Sequence, residues 1–284
     1  MSEILRGDLE SKQLPNLPNE NFRSMVHHNE SILIFGQMGE INNQSKCFQL
    51  DNGIWKNHST LNKQRYGASA VATPVATFLF GGLFSRKTYE YLPNGSTTWL
   101  MGKIDIADGG IFDGCAIAVK SGSEILLFGG SRTLQRIISF NVNDHTFQVM
   151  DTGLNVGRRG FSCAFIPNTN KIMITGGWDK EERMNTSTEI FDTENGSITT
   201  ASPINCYRSY HGMGVLTVNG EDKLALLGGY GGKGKLVGGE LNSVEIYNTK
   251  TKEWDKTNIK LKHSNSKSGF GFLAINHRDL ISKL

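Results

Sequence analysis

The chain has 284 residues, 33 of them glycine and 6 proline, with 38% hydrophobic, 9% aromatic and 20% charged residues and a net charge of +3. A balance this close to zero offers no basic footprint for nucleic acid or a membrane surface. The start Met1-Ser2-Glu3-Ile4-Leu5-Arg6 lacks the basic and apolar regions of a signal peptide, and no apolar run of about 18 residues is present to span a membrane, so a cytoplasmic, turn-rich protein is expected.

In chain order, an apolar strand stopped by glycine recurs five times. The copies are Ile32-Leu33-Ile34-Phe35-Gly36, Phe78-Leu79-Phe80-Gly81-Gly82, Ile125-Leu126-Leu127-Phe128-Gly129-Gly130, Ile172-Met173-Ile174-Thr175-Gly176-Gly177 and Leu224-Ala225-Leu226-Leu227-Gly228-Gly229. Their first glycines are spaced by 45, 48, 47 and 52 residues. Ahead of each copy runs a strand of small and apolar residues, and behind it a strand, a turn and a large apolar residue: Trp55, Trp99, Phe147, Ile198 and Trp254. Asn52-Gly53, Asn94-Gly95 and Asn195-Gly196 lie between the last two strands, as two-residue antiparallel hairpins require. Each repeat therefore predicts four strands, a to d.

Four strands in about 50 residues, with a diglycine after the second and an aromatic in the fourth, resembles the kelch repeat. The resemblance is strongest around Gly228-Gly229 with Tyr247 and Trp254, and around Gly81-Gly82 with Tyr91 and Trp99; Gln37, Phe147 and Ile198 depart from it. It implies an all-β, six-bladed propeller with four antiparallel strands per blade. The predicted blades are 22–64, 65–110, 111–157, 158–207 and 208–266, with 267–284 and 1–21 forming the sixth and closing the ring. Closure removes open sheet edges.

Chemistry is sparse. Gly229-Tyr230-Gly231-Gly232-Lys233-Gly234-Lys235 matches part of a phosphate-binding loop, but Leu236 replaces the magnesium-binding hydroxyl and Val237-Gly238-Gly239 is a poor helix start. The seven histidines lack metal-site spacing, and Cys47, Cys115, Cys163 and Cys206 form no C-x-x-C pair. No metal, no cofactor, no catalytic residue and no native disulfide are expected. Kelch enzymes exist, so a sugar-directed activity is the alternative from another class.

In such a propeller the b–c and d–a loops share one face, where a rigid scaffold presents variable loops. Cations recur at the lead-in to strand a: Arg23, Arg65, Arg159, Arg208 and Lys267, with Tyr66, Phe161 and Tyr210 beside three of them. Long b–c loops begin at Trp178 and Tyr230. Grouped around one channel mouth, these side chains predict binding of a protein or peptide segment that is acidic or phosphorylated. The resemblance implies a substrate-recognition module of a ubiquitin ligase or an actin-binding protein, although the adaptors of that kind carry a BTB domain ahead of the propeller and the blades consume this chain.

Overall fold

The computed structural model describes residues 3–5, 11–13, 24–28, 31–35 and 46–261, apart from 108, 219 and 237. Within them lie five four-stranded antiparallel sheets, each with its strands in sequence order. Blade 1 comprises Ser24–His28, Ser31–Phe35, Lys46–Asp51 and Ile54–Thr60. Blade 2 comprises Ser69–Ala72, Ala76–Phe80, Thr88–Pro93 and Leu100–Lys103. Cys115–Val119, Glu124–Phe128, Arg136–Asn141 and Phe147–Gly153 form blade 3. Ser162–Phe165, Lys171–Thr175, Thr188–Asp192 and Ile198–Ala201 form blade 4. Blade 5 takes Gly212–Val218, Glu221–Leu227, Ser243–Asn248 and Glu253–Lys260.

Strand b explains why blades stack. Its alternating side chains point to opposite faces of the sheet, yet it is apolar at nearly every position, so both faces must be covered. Phe78 and Phe80 pack with Ile125 and Leu127 of blade 3, whereas Leu79 between them packs with Leu33 and Phe35 of blade 1. Leu126 and Phe128 then turn to Ile172 and Ile174 of blade 4, and Met173 turns to Leu224 and Leu226 of blade 5. The inner strands a of blades 1 to 5 pack neighbour to neighbour in the same order. The core is thus a series of layers between blades, the propeller arrangement that the repeats predict.

The diglycine acts at the blade-to-blade junction. Gly81 has φ +70°, and a Cβ there would strike the carbonyl of Ile111 on the following lead-in loop. The next amide uses that closeness: Gly82 donates to Ile111 O at 3.0 Å, Gly130 to Arg158 O at 2.9 Å and Gly177 to Arg208 O at 2.8 Å.

Two sequence expectations change. Asn52 and Gly53 adopt φ 48° and 72°, the two-residue hairpin turn, but of the other two pairs only Gly95 and Gly196 turn positive, because those hairpins have longer connections at 94–99 and 193–197. Cysteines in different repeats are not far apart: Cys115 and Cys163 form a disulfide with Cα atoms 6.1 Å apart. Their separation of 48 residues is one repeat, and that places them on adjacent inner strands of blades 3 and 4. Of the proposed sixth blade, Glu3–Leu5 pairs antiparallel with Ser11–Gln13; the strands expected in 267–284 lie outside the described residues.

Candidate functional site

The lead-in arginines are buried struts. Arg65 is fully buried, its Nε 2.7 Å from Glu90 Oε1, while its Nη1 donates to the carbonyls of Gly81 and Thr88, both at 2.8 Å. Arg208 is also fully buried and pairs with Glu245 at 2.8 Å, and it donates to the Ser243 hydroxyl at 2.9 Å. The equivalent residue in blade 4 is Arg158, not Arg159. Arg158 meets Glu189 at 2.6 Å, Gly176 O at 2.8 Å and the Ser187 hydroxyl at 2.8 Å. Burial lowers the pKa of Arg65 and Arg158, and the facing carboxylate offsets part of that effect. Each glutamate also accepts loop amides, as Glu189 does from Asn155 and Val156 and Glu90 from Asn62 and Lys63. The ion pair therefore ties the lead-in loop to strands b and c of its own blade.

This geometry removes Arg65 and Arg208 from any partner surface, contrary to the sequence expectation. The repeated arginine supplies a donor to the carbonyl of each first glycine, Gly81, Gly176 and Gly228, and adds a second donor to the strand c carbonyl that already accepts that glycine's amide. Phe161 is buried too, in the layer between blades 3 and 4. Arg23 and Lys267 lie outside the described residues.

Two residues beyond each strut position, the lead-in loops join one another. Asp113 N donates to Gly67 O at 3.0 Å, Gly160 N to Asp113 O at 2.8 Å and Tyr210 N to Gly160 O at 2.7 Å. All four residues have positive φ, between 50° and 68°. This arc of backbone hydrogen bonds runs across blades 2 to 5 on the loop face.

The remaining expected residues gather beside that arc. Arg159 retains 20% side-chain exposure, pairs with Glu182 and donates to Tyr210 Oη at 3.1 Å. Its guanidinium carbon lies 6.0 Å from the Trp178 ring centroid, and Tyr210 Oη donates to Asp113 Oδ2 at 3.2 Å. Burial works against the Arg159 charge, but Tyr210, Glu182 and Asp113 together raise its pKa. Trp178 bridges Arg159 and Met184 through the backbone. Tyr230 begins a strand, Tyr230–Gly232, that pairs with Tyr207–Ser209 and Gly239–Glu240 in a small extra sheet. The two long loops touch where Met184 N donates to Lys235 O at 2.9 Å. Among the described residues, the element after the glycine-rich string is the short strand Gly239–Glu240.

Among the described residues, the two most exposed large apolar side chains of this face were not singled out for binding from the sequence. Phe84, in the b–c loop of blade 2, is 62% exposed, and Leu236, in that of blade 5, is 69% exposed. Lys63 and Lys87 lie beside Phe84, and Lys233 and Lys235 immediately precede Leu236. The available signal was a bulky apolar residue placed within a turn, where polar residues are usual. Among the described residues, no helix is long and apolar enough to cross a membrane.

No family model matches the chain. Over 137 residues it is 28% identical to a kelch repeat-containing protein of Dictyostelium discoideum, an alignment covering 46% of this chain and 20% of that protein. The chain thus matches about a fifth of its relative's length. It is similar in fold to the solved structure of YjhT, with a TM-score of 0.69 and 13% identity over 88% of this chain and 87% of that one.

Proposed function

We propose that this chain, a kelch-repeat propeller, is a noncatalytic protein-interaction scaffold that receives a partner segment on its loop face. The observation that carries the reading is the pairing of fixed loops with exposed apolar residues: Phe84 and Leu236 project from loops whose bases are clamped by Arg65–Glu90 and Arg208–Glu245. A rigid site loses little conformational entropy on binding. A substrate-recognition or adaptor role and an actin-binding role are the finer forms of this reading.

The test is affinity capture from the native source with crosslinking, using the intact protein and two double variants. Phe84→Ser with Leu236→Ser alters the loop face; Ile54→Ser with Val75→Ser alters the a–b and c–d turns on the opposite face. Loss of one specific partner in the first variant alone is expected, and its identity as a ligase subunit or actin selects the finer form. Loss in the second alone overturns the reading. A cytoplasmic setting and the Cys115–Cys163 bond make opposite demands, since reducing compartments rarely retain structural disulfides. Acid-quenched thiol labelling in cells is expected to find four free groups in a reducing compartment and two in an oxidising one.

A further inference from the structure

The b–c loop of blade 2 borders an open cleft of about 340 Å³ lined in part by Lys63, Phe84, Ser85, Arg86 and Lys87. Its base is firmly held. Ser85 is buried and donates through Oγ to Gln64 O at 3.1 Å, Leu83 N donates to Tyr66 O at 2.8 Å, and Thr88 N donates to Ser85 O at 3.0 Å. Thr88 is held in turn by Arg65, which donates to both its carbonyl and its hydroxyl. Phe84 is thus displayed by a braced loop. In blade 3 the place two residues after the diglycine is taken by Arg132, so the repeat does not demand an aromatic there.

The cations around it have no carboxylate partner among the described residues. Among the described residues, the side chains of Lys63, Arg86 and Lys87 form no ion pair, whereas Arg159 on the same face is already paired with Glu182. The Arg86 guanidinium lies over the Phe112 ring at 5.4 Å, and its buried Nε finds no acceptor. Nearby Glu90 is consumed by Arg65 and by the amides of Asn62 and Lys63. An apolar ring beside three cations calls for a ligand that brings an apolar group and an anion together.

We propose that this cleft docks a peptide in which an apolar side chain lies next to a carboxylate or phosphate, the apolar group on Phe84 and the oxyanion on Arg86, Lys63 and Lys87. This rests on the reading of the loop face as an interaction surface and moves the acidic contact from the buried Arg65 and Arg208 to the rim of blade 2.

Two fluorescein-labelled pools of short peptides test it, one with a fixed Leu-x-Asp-Asp and one with a fixed Leu-x-phosphoserine, titrated into the full chain by fluorescence anisotropy. Saturable, salt-sensitive binding of at least one pool is expected, weakened about tenfold by Arg86→Ala and by Phe84→Ser and unchanged by Arg132→Ala. Which pool binds more tightly identifies the oxyanion. Equal melting midpoints establish that the variants remain folded. Failure of both pools to bind overturns the proposal, as does equal weakening by Arg132→Ala. Phe84-dependent binding to vesicles containing phosphatidylserine, without peptide binding, assigns the cleft to lipid and also overturns it. If the captured partner is lost with Leu236→Ser but kept with Phe84→Ser and Arg86→Ala, the cleft is wrong while the scaffold reading stands.

Discussion

Blades 4 and 3 solve the same junction with opposite chemistry. Where blade 4 buries Arg158 against Glu189, blade 3 places Ile111 and Ile138, each 1% exposed and both in the layer shared with blade 2. The equivalence is fixed by backbone bonds: Gly82 N finds Ile111 O as Gly130 N finds Arg158 O, and strand c starts at Arg136 opposite Gly129 as Ser187 lies opposite Gly176. Both residues have changed together. A buried ion pair must recover a large desolvation penalty, and a well-packed apolar pair can replace it with little loss, whereas half of either solution fails. The buried arginine is therefore one of two ways to build a blade, which explains how it can recur without touching a partner.

Breaking one member of the pair should produce the largest effect. Arg158→Met leaves Glu189 buried without its cation, and Ile138→Glu puts an unpaired carboxylate opposite Ile111; each is expected to cost about 3–5 kcal/mol in reversible denaturant unfolding. The double change Arg158→Ile with Glu189→Ile, which copies blade 3 into blade 4, should cost less than the sum of its single changes by about 1–3 kcal/mol. Strict additivity would show that the two side chains act independently.

The seam between blades 3 and 4 also carries the disulfide. Cys163→Ser is expected to cost about 2–4 kcal/mol, read as a lower midpoint that added reductant reproduces in the parent protein but does not lower further in the variant. Burial pushes the Cys47 thiol up to about 12, so slow labelling of that group in the folded state should distinguish it from Cys206.

The smallest effect concerns pH. His211 occupies in blade 5 the place that Phe161 holds in blade 4, each filling the space beside the first glycine of the preceding blade. It is buried, its Nε2 lies 2.9 Å from Thr175 Oγ1, and burial, with Arg208 and Arg158 nearby, holds its pKa well below the ordinary value of 6.5. Below pH 6.5 the unfolded chain binds a proton that the folded chain refuses, so stability falls as pH drops from 6.5 toward the depressed folded value. The slope is at most about 1.4 kcal/mol per pH unit. His211→Phe should flatten that part of the profile; an unchanged slope would place the proton-linked group elsewhere.

The repeats made the blades legible because strand b is apolar on both faces and the diglycine marks where blades meet. They also carried a signal that went unread, since a cysteine spacing of one period brings Cys115 and Cys163 together. The cation pattern was read one residue out in blade 4. Arg158 and Arg159 are adjacent and identical in type; the spacing shared by Arg65-Tyr66-Gly67 and Arg158-Arg159-Gly160 marks the strut, and the register of Ser162 opposite Thr175 places Arg158 four residues ahead of strand a. Phe84 could be suspected as a bulky apolar residue within a turn, but its exposure, and the absence of an acceptor for Arg86 Nε, depend on how the loop is braced by residues from other strands.

The struts have a consequence for the order in which the chain can be made. Arg65 and Glu90 are 25 residues apart, Arg158 and Glu189 are 31, and Arg208 and Glu245 are 37. Every strut thus closes within a single repeat, and its arginine precedes its glutamate. A chain leaving the ribosome presents the cation before the carboxylate that neutralises it, so each of these struts can close as soon as the third strand of its blade emerges, ahead of the docking between blades. Short closures of this kind carry a small entropic cost and favour fast, unit-by-unit assembly. Blade 3, with Ile111 and Ile138 in place of the strut, lacks this early closure, and its docking is the step expected to lag.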